Sequence, residues 1–268
     1  MKVLDWATLE RGVDLPQEPI ALSIGVFDGV HRGHRSLIEL IHGFSEDTVA
    51  TVLTFPDNPA RRLRPQSYHG DLESYRFRLE KLEALGVGVV IAVEFNERFR
   101  SLSGEAFLDC LRAALALRYL AIGSNFRCGR DMQMGAHEVR RYLEGYGVRV
   151  DIAPPVVDNE LQLPVSSTVI RRAVLDGDLE RVRRLLGSEF EVDVATVPLL
   201  HHRSECRMRK HDCTQVLPYA GAFEVEFHCE GGSHRDIVTI TENHVRWSWK
   251  CNDPNRIRFL RQLKSHEQ

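Results

Sequence analysis

The chain has 268 residues, 43% of them hydrophobic and 27% charged, with 35 Lys and Arg against 38 Asp and Glu for a net charge of −3. That length supports a sizeable core in one large domain or two unequal ones, and the near-balanced charge argues against a general nucleic-acid binder. No apolar run approaches the roughly 20 residues of a membrane span, and the opening MKVLDWATLERGVDL carries charges where a signal peptide needs an apolar stretch. The expected location is the cytoplasm, with neither a membrane nor nucleic acid as partner. Cys110, Cys128, Cys206, Cys213, Cys229 and Cys251 show no CxxC spacing and are expected as free thiols.

Residues 1–19 read as a lead-in, with Trp6 and Leu9 as packing anchors. Ile20 to Val26 form a short apolar strand entered from Pro19. Gly25, Gly29 and Gly33 punctuate the turn that follows, and Leu37, Ile38, Leu40, Ile41 and Phe44 recur at helical spacing. A strand, a glycine-containing loop and a helix in this order leave backbone N–H groups at the helix N-terminus for a phosphate. His31 and His34, three apart at the helix start, share a face, and Gly33 between them lets a phosphate approach the backbone. Two imidazole donors beside a helix N-terminus suit a triphosphate whose α-phosphorus gains charge in a transition state.

A second buried strand spans Thr48 to Phe55, followed by PDNPARRLRP, where Arg61, Arg62 and Arg64 read as a solvated face. The pattern predicts a helix over Asp71 to Leu85, with Asp71 as N-cap and Gly86 at its end. Gly88 to Val93 is a third strand. FNERFRSLSGEAF is a polar connection whose Phe95, Phe99 and Phe107 belong to the core. A helix over Gly104 to Leu117 and a fourth strand over Arg118 to Gly123 follow. The loop SNFRCGRDMQMG then lies at the carboxyl end of a strand, where open α/β sheets bind ligands. Its Asn125, Arg127, Gly129, Arg130 and Asp131 suit a ribose, phosphate or ring edge, and equally suit a plain connecting loop. A helix near Ala136 to Tyr146 and the strand VRVDIAP complete the alternation. The fold class is therefore α/β, a doubly wound parallel sheet.

Ser166, Ser167 and Thr168 stand at the start of a further helix, where such residues cap. Arg171 lies one turn on, so the same hydroxyls, free N–H groups and a guanidinium also compose a phosphate clamp. After Gly187 the residues alternate apolar and polar. This predicts a small antiparallel β unit from about Glu191 to Trp249 and a short basic helix to the end. The domains expected are 1–190 and 191–268. His201, His202, Cys206, His211 and Cys213 lack zinc-site spacing and read as a polar basic loop.

The string GVFDGVHRGH resembles the adenylyltransferase module of bacterial bifunctional riboflavin kinase/FAD synthetases, within the HxGH nucleotidylyltransferase superfamily. SSTVIR matches that superfamily's second signature, SSTxIR, in the same order. The resemblance runs from about Ile20 to Phe190. It implies an FMN adenylyltransferase acting on ATP and FMN, with magnesium bridging phosphate oxygens and FAD as product. It implies that His31, His34 and Arg171 are catalytic, and that Gly25, Phe27, Gly33, Ser167 and Thr168 bind nucleotide. On the flavin side it implies Phe55, Asn58, Asn125 and Arg127. The partners implied are small molecules, with the chain a monomer or weak homo-oligomer.

Three features depart from the family. TFPDNP stands where it usually reads TFDPHP, so Asn58 replaces a histidine; Cys128 replaces an aromatic residue; and no string resembles LGFPTAN, the kinase hallmark. The last implies a C-terminal unit without kinase activity. The first two keep other readings open: adenylation of a different phosphate acceptor, or a non-catalytic flavin- or nucleotide-binding protein.

Overall fold

In a computed structural model of the chain, residues 1–160, 162–202, 205–248 and 253–263 are described. They group into two units, 1–65 with 79–164, and 66–78 with 165–268.

The first unit opens on β1 (Lys2–Asp5) and α1 (Trp6–Arg11), where a lead-in was expected. Asp5 caps α1 by accepting from Thr8 N at 2.6 Å, and Gly12 ends it in the left-handed region at φ 68°. Then come β2 (Ile20–Ile24), α2 (Arg32–Gly43), β3 (Val49–Thr54) and the short α3 (Ala60–Leu63). Helix α4 (Tyr75–Ala84) carries the division between the units within it. Strand β4 (Val89–Ala92), α5 (Glu97–Arg100), α6 (Gly104–Ala114) and β5 (Leu117–Gly123) follow. A two-strand ribbon, β6 (Arg127–Cys128) and β7 (Met134–Gly135), precedes α7 (Ala136–Glu144) and β8 (Arg149–Ala153).

The strand order is β1-β4-β3-β2-β5-β8, with every pair parallel. Side chains alternate across this sheet. Ile20, Leu22, Ile24, Leu120 and Ile122 point to one face, packing with Trp6 of α1, Phe107 of α6 and Val139 of α7. Ala21, Val52, Val90 and Ala121 line the other with Leu37, Ile38 and Ile41 of α2. Both faces are covered, as an all-parallel sheet requires.

The predicted N-cap Asp71 lies four residues before α4. Ser74 caps instead, its Oγ accepting from Phe77 N at 3.2 Å, while Asp71 is paired with Gln215.

The second unit contains α8 (Ser167–Leu175) and α9 (Leu179–Leu186), then β9 (Phe190–Asp193), β10 (Leu199–His202), β11 (Glu205–Arg209), β12 (Gly221–Cys229), β13 (Gly232–Ile240), β14 (His244–Ser248) and β15 (Arg256–Gln262). They form one antiparallel sheet in the order β10-β11-β14-β13-β12-β15-β9. The chain parts after Pro164 instead of near residue 190, because α9 packs on β9 and β15. The expected basic helix at the end is β15 over residues 256–262. Ile257 and Phe259 turn inward while Arg256 and Arg258 turn outward to Glu191 at 3.2 and 2.9 Å, which is a period of two. The segment expected as a basic loop is the β10–β11 hairpin, with Cys206 buried. Cys110, Cys128, Cys206 and Cys213 are free, whereas Cys229 is disulfide-bonded, a correction to the all-thiol expectation. Sequence spacing does not report distance in space; Cys251 and Trp249 lie outside the described residues.

No helix among the described residues is long and apolar enough to cross a membrane.

The unpredicted N-terminal elements carry a measurable load. Trp6 packs edge-on to Phe99 at 5.3 Å and stacked on Phe107 at 5.7 Å. Trp6→Ala is expected to destabilise the protein by about 3–5 kcal/mol in urea denaturation. A loss under about 1 kcal/mol would show that β1 and α1 are appended to the core and not part of it.

Candidate functional site

The order of the parallel sheet changes direction between β2 and β5. The chain steps from β2 to β3 to β4 on one side, then crosses to β5 on the other. Ligands of open α/β sheets bind beyond the carboxyl ends of strands at such a point, and the loop from β2 to α2 leaves there.

That loop is tightly held. Gly25 N donates to Leu53 O at 3.1 Å, Thr54 Oγ1 to Val26 O at 2.8 Å, and Val30 N to Phe27 O at 3.0 Å. Phe27 and Val30 adopt φ of 54° and 38°, where L-residues are strained, alongside Gly29 at 87°. Each such residue costs about 1–3 kcal/mol. Both side chains are fully buried, and burial of an aromatic or aliphatic side chain returns a similar 1.5–3 kcal/mol, roughly, by area. Phe27 therefore lies within the core. Its ring backs His34 at 5.0 Å between centroids, and a Cβ on Gly25 would stand 3.2 Å from it.

The loop delivers His31 as N-cap of α2, with extended backbone and no side-chain capping bond. The first-turn amides, Gly33 among them, thus receive no cap from His31, and the positive end of the helix dipole faces out of the same terminus. The rings of His31 and His34 stack with centroids 3.7 Å apart and planes 16° from parallel. His31 is 5% exposed, and its Nδ1 is buried without a hydrogen-bond partner. Burial pushes its pKa down to about 4, so the ring is neutral at pH 7 and carries one N–H donor and one acceptor nitrogen.

Asn58 is turned inward at 6% exposure. Its Oδ1 accepts from Ala60 N at 3.0 Å, and its Nδ2 lies 3.5 Å from Oδ2 of Asp28, itself 1% exposed. The amide thus joins the loop after β3 to the loop after β2. Asp28 and Thr54 are the site's support residues that sequence reasoning did not select. The one available signal was a carboxylate lodged in an otherwise apolar and glycine-rich run. Phe55 sits at the end of β3, edge-on to Phe95 and Phe99 at 5.9 and 6.0 Å.

Asn125 and Arg127 are exposed on the loop after β5. Arg127 Nη1 donates to Met132 O at 3.3 Å across the β6–β7 ribbon. Gly129, at φ 80°, allows the ribbon to lie on α6, since a Cβ there would be 2.3 Å from Gly104 N. Cys128 is half-buried and its thiol is pushed up to about 12 by desolvation, which makes it a neutral packing residue.

In the second unit, Ser166 caps α8 through Val169 N at 3.3 Å. This places the half-buried Ser167 and the exposed Thr168 in the first turn. Arg171, one turn on, donates from Nε to Gly70 O at 2.7 Å. Hydroxyls and a guanidinium on the first turns of a helix form an anion-binding face.

A family model described as FAD synthetase matches residues 14–169. The bifunctional riboflavin kinase/FMN adenylyltransferase of Escherichia coli K12 is 32% identical over 180 residues, covering 66% of this chain and 57% of that protein. The protein of the same name from Listeria monocytogenes is 27% identical over 237 residues, covering 83% and 72%. The chain thus spans little more than half the length of the first of these relatives. The crystal structure of a macrolide-efflux protein from Streptococcus pneumoniae superposes with a TM-score of 0.82 at 20% identity, covering 98% of this chain and 91% of that one; at that identity the likeness concerns the fold alone. The family match covers more than half of the chain, including the strained loop, both stacked histidines and the start of α8 as far as Val169, and on that ground the chain belongs to the FAD synthetase family.

Proposed function

We propose that this chain transfers the adenylyl group of ATP to FMN. A phosphate oxygen of FMN attacks the α-phosphorus, the bond to the bridging oxygen of the β-phosphate breaks, and FAD and pyrophosphate form. The observation that carries the reading is the stacked His31–His34 pair at an uncapped helix N-terminus, inside the stretch matched by the family. Imidazole and backbone N–H groups are donors preorganised for phosphoryl oxygens that gain charge as the bond changes hands. Arg171, Ser167 and Thr168 neutralise the leaving pyrophosphate. Nothing here calls for a covalent enzyme intermediate, so catalysis is positioning and charge stabilisation. Magnesium carried by the triphosphate would offset phosphate charge, and among the described residues no group of three or more His, Cys, Asp or Glu stands ready to hold a metal ion. Phe55, Asn125 and Arg127 serve the flavin side. Asn58 serves it by holding the loop to Asp28.

The C-terminal unit lacks a string like LGFPTAN, which supports a reading without riboflavin kinase activity. The engagement of Asn58 within its own loop also supports a second reading, in which the same adenylyl transfer serves a different phosphate acceptor.

Purified protein incubated with ATP, magnesium and either FMN or riboflavin is expected to yield FAD from FMN alone, as read by chromatography. FAD from riboflavin would show a working kinase. AMP transfer to another acceptor phosphate without transfer to FMN would establish the second reading. His31→Ala and His34→Ala are each expected to lower kcat by roughly 10²–10³-fold; near-normal turnover in both would refute the mechanism.

The buried His31 also sets a pH dependence. Its pKa is about 4 when folded, against an ordinary 6.5, so unfolding takes up a proton between those values. Stability is then fully present above about pH 6.5 and declines toward pH 4, by about 3 kcal/mol in all. Urea denaturation at pH 7, 5.5 and 4.5 should show a shallower decline in His31→Gln than in the wild type. Equal slopes would mean that the imidazole is not held neutral.

A further inference from the structure

In the second unit, residues 214–219 grip the surroundings of Arg171 from two directions. Asp71 and Gln215 pair as a parallel bridge: Asp71 N donates to Thr214 O at 3.0 Å and Val216 N to Asp71 O at 2.7 Å. The Gln215 side chain is 4% exposed. Its Nε2 donates to Leu72 O at 3.1 Å and to Glu191 O at 2.8 Å, while Oε1 accepts from Asp193 N at 2.7 Å. One buried amide thus uses both N–H hydrogens and its carbonyl to tie 71–72 to β9. Gly70 lies flat against this joint. It has φ 104°, and a Cβ would stand 2.7 Å from Val216 N. The carbonyl of Gly70 is the acceptor that holds Arg171 Nε at 2.7 Å.

The same segment also holds the far end of α8. Tyr219 N donates to Leu175 O, on the last residue of the helix, at 3.0 Å. The Lys210 ammonium fixes the Pro218 and Tyr219 carbonyls at 2.7 and 3.1 Å. An arginine bound at Nε has its guanidinium plane set before a ligand arrives, so less of its rotamer entropy remains to be lost on binding.

We infer that Gln215 is a positioning residue for Arg171, and that through it the β-rich unit prepares the pyrophosphate-binding side of the reaction. The inference rests on the reading of Arg171 as a phosphate ligand given above. It assigns the C-terminal unit a part in adenylyl transfer that does not depend on kinase chemistry.

A double-mutant cycle on the full chain tests it, with pyrophosphate binding read by calorimetry and steady-state adenylation of FMN read alongside. Gln215→Met keeps the length of the side chain and removes all three hydrogen bonds. It is expected to weaken pyrophosphate binding about tenfold and to lower kcat without raising KM for FMN. In an Arg171→Ala background the same change should have little further effect, because the two residues act as one unit. Wild-type pyrophosphate affinity in folded Gln215→Met, or an equal loss in both backgrounds, overturns the inference while leaving Arg171 in its role. Wild-type affinity in Arg171→Ala removes the underlying reading, and the inference with it. Should Gln215→Met not fold, Gln215→Glu keeps the acceptor for Asp193 N, loses both donations and is read by the same criteria.

Discussion

The start of α2 depends on a phenylalanine in a backbone conformation that phenylalanine does not favour. Phe27 at φ 54° turns the chain sharply after β2 and sends its ring into the core beneath Gly25 and His34. Gly25 has no side chain to obstruct that ring, and Val30 repeats the same trade of backbone strain against burial. The strain and the burial are of similar size. The turn therefore holds only because the hydrophobic core is continuous under it, and the two histidines inherit their geometry from that core.

Electrostatics then follows from packing. Stacked rings 3.7 Å apart disfavour two positive charges, since unit charges at such separation repel strongly away from bulk water. Burial of His31 removes its charge altogether at neutral pH. At neutral pH His31 is an uncharged imidazole next to the positive end of a helix dipole. The second unit uses the complementary device. Arg171 is ordered through a backbone carbonyl, a neutral acceptor that orients the guanidinium without neutralising it.

Buried polar side chains carry much of the architecture around both places. Ser23 reaches from β2 to Ala121 O on β5, Thr54 from β3 to Val26 O, Asn58 to Asp28, and Gln215 across three backbone groups. Each joins segments distant in sequence, and each would cost stability if left unpaired. The glycines at 70 and 129 belong to the same economy, since in both a Cβ would meet backbone atoms at less than 3 Å.

Much of this was legible in the residues. The alternation of apolar strands with amphipathic helices specified the parallel sheet. The string from Gly25 to His34 and the later SSTVIR marked where phosphate chemistry is expected, because glycine spacing, imidazole spacing and helix starts are local properties. Strand β1 was not legible, since a four-residue edge strand with one buried position has no period to detect. Strand β15 was misread because arginines at 256, 258 and 261 suggest a basic helix until the inward turn of Ile257 and Phe259 shows the period of two. Asp71 has the composition of a cap, yet pairing with Gln215, 144 positions away, claims it first. By itself the sequence determined the fold class and the family, and it singled out the residues expected to meet phosphate, all of which rest on short-range pattern. Only the tertiary structure decided the neutral state of His31, the inward turn of Asn58 and the anchoring of Arg171, because burial and long-range hydrogen bonds have no signature until the chain is folded.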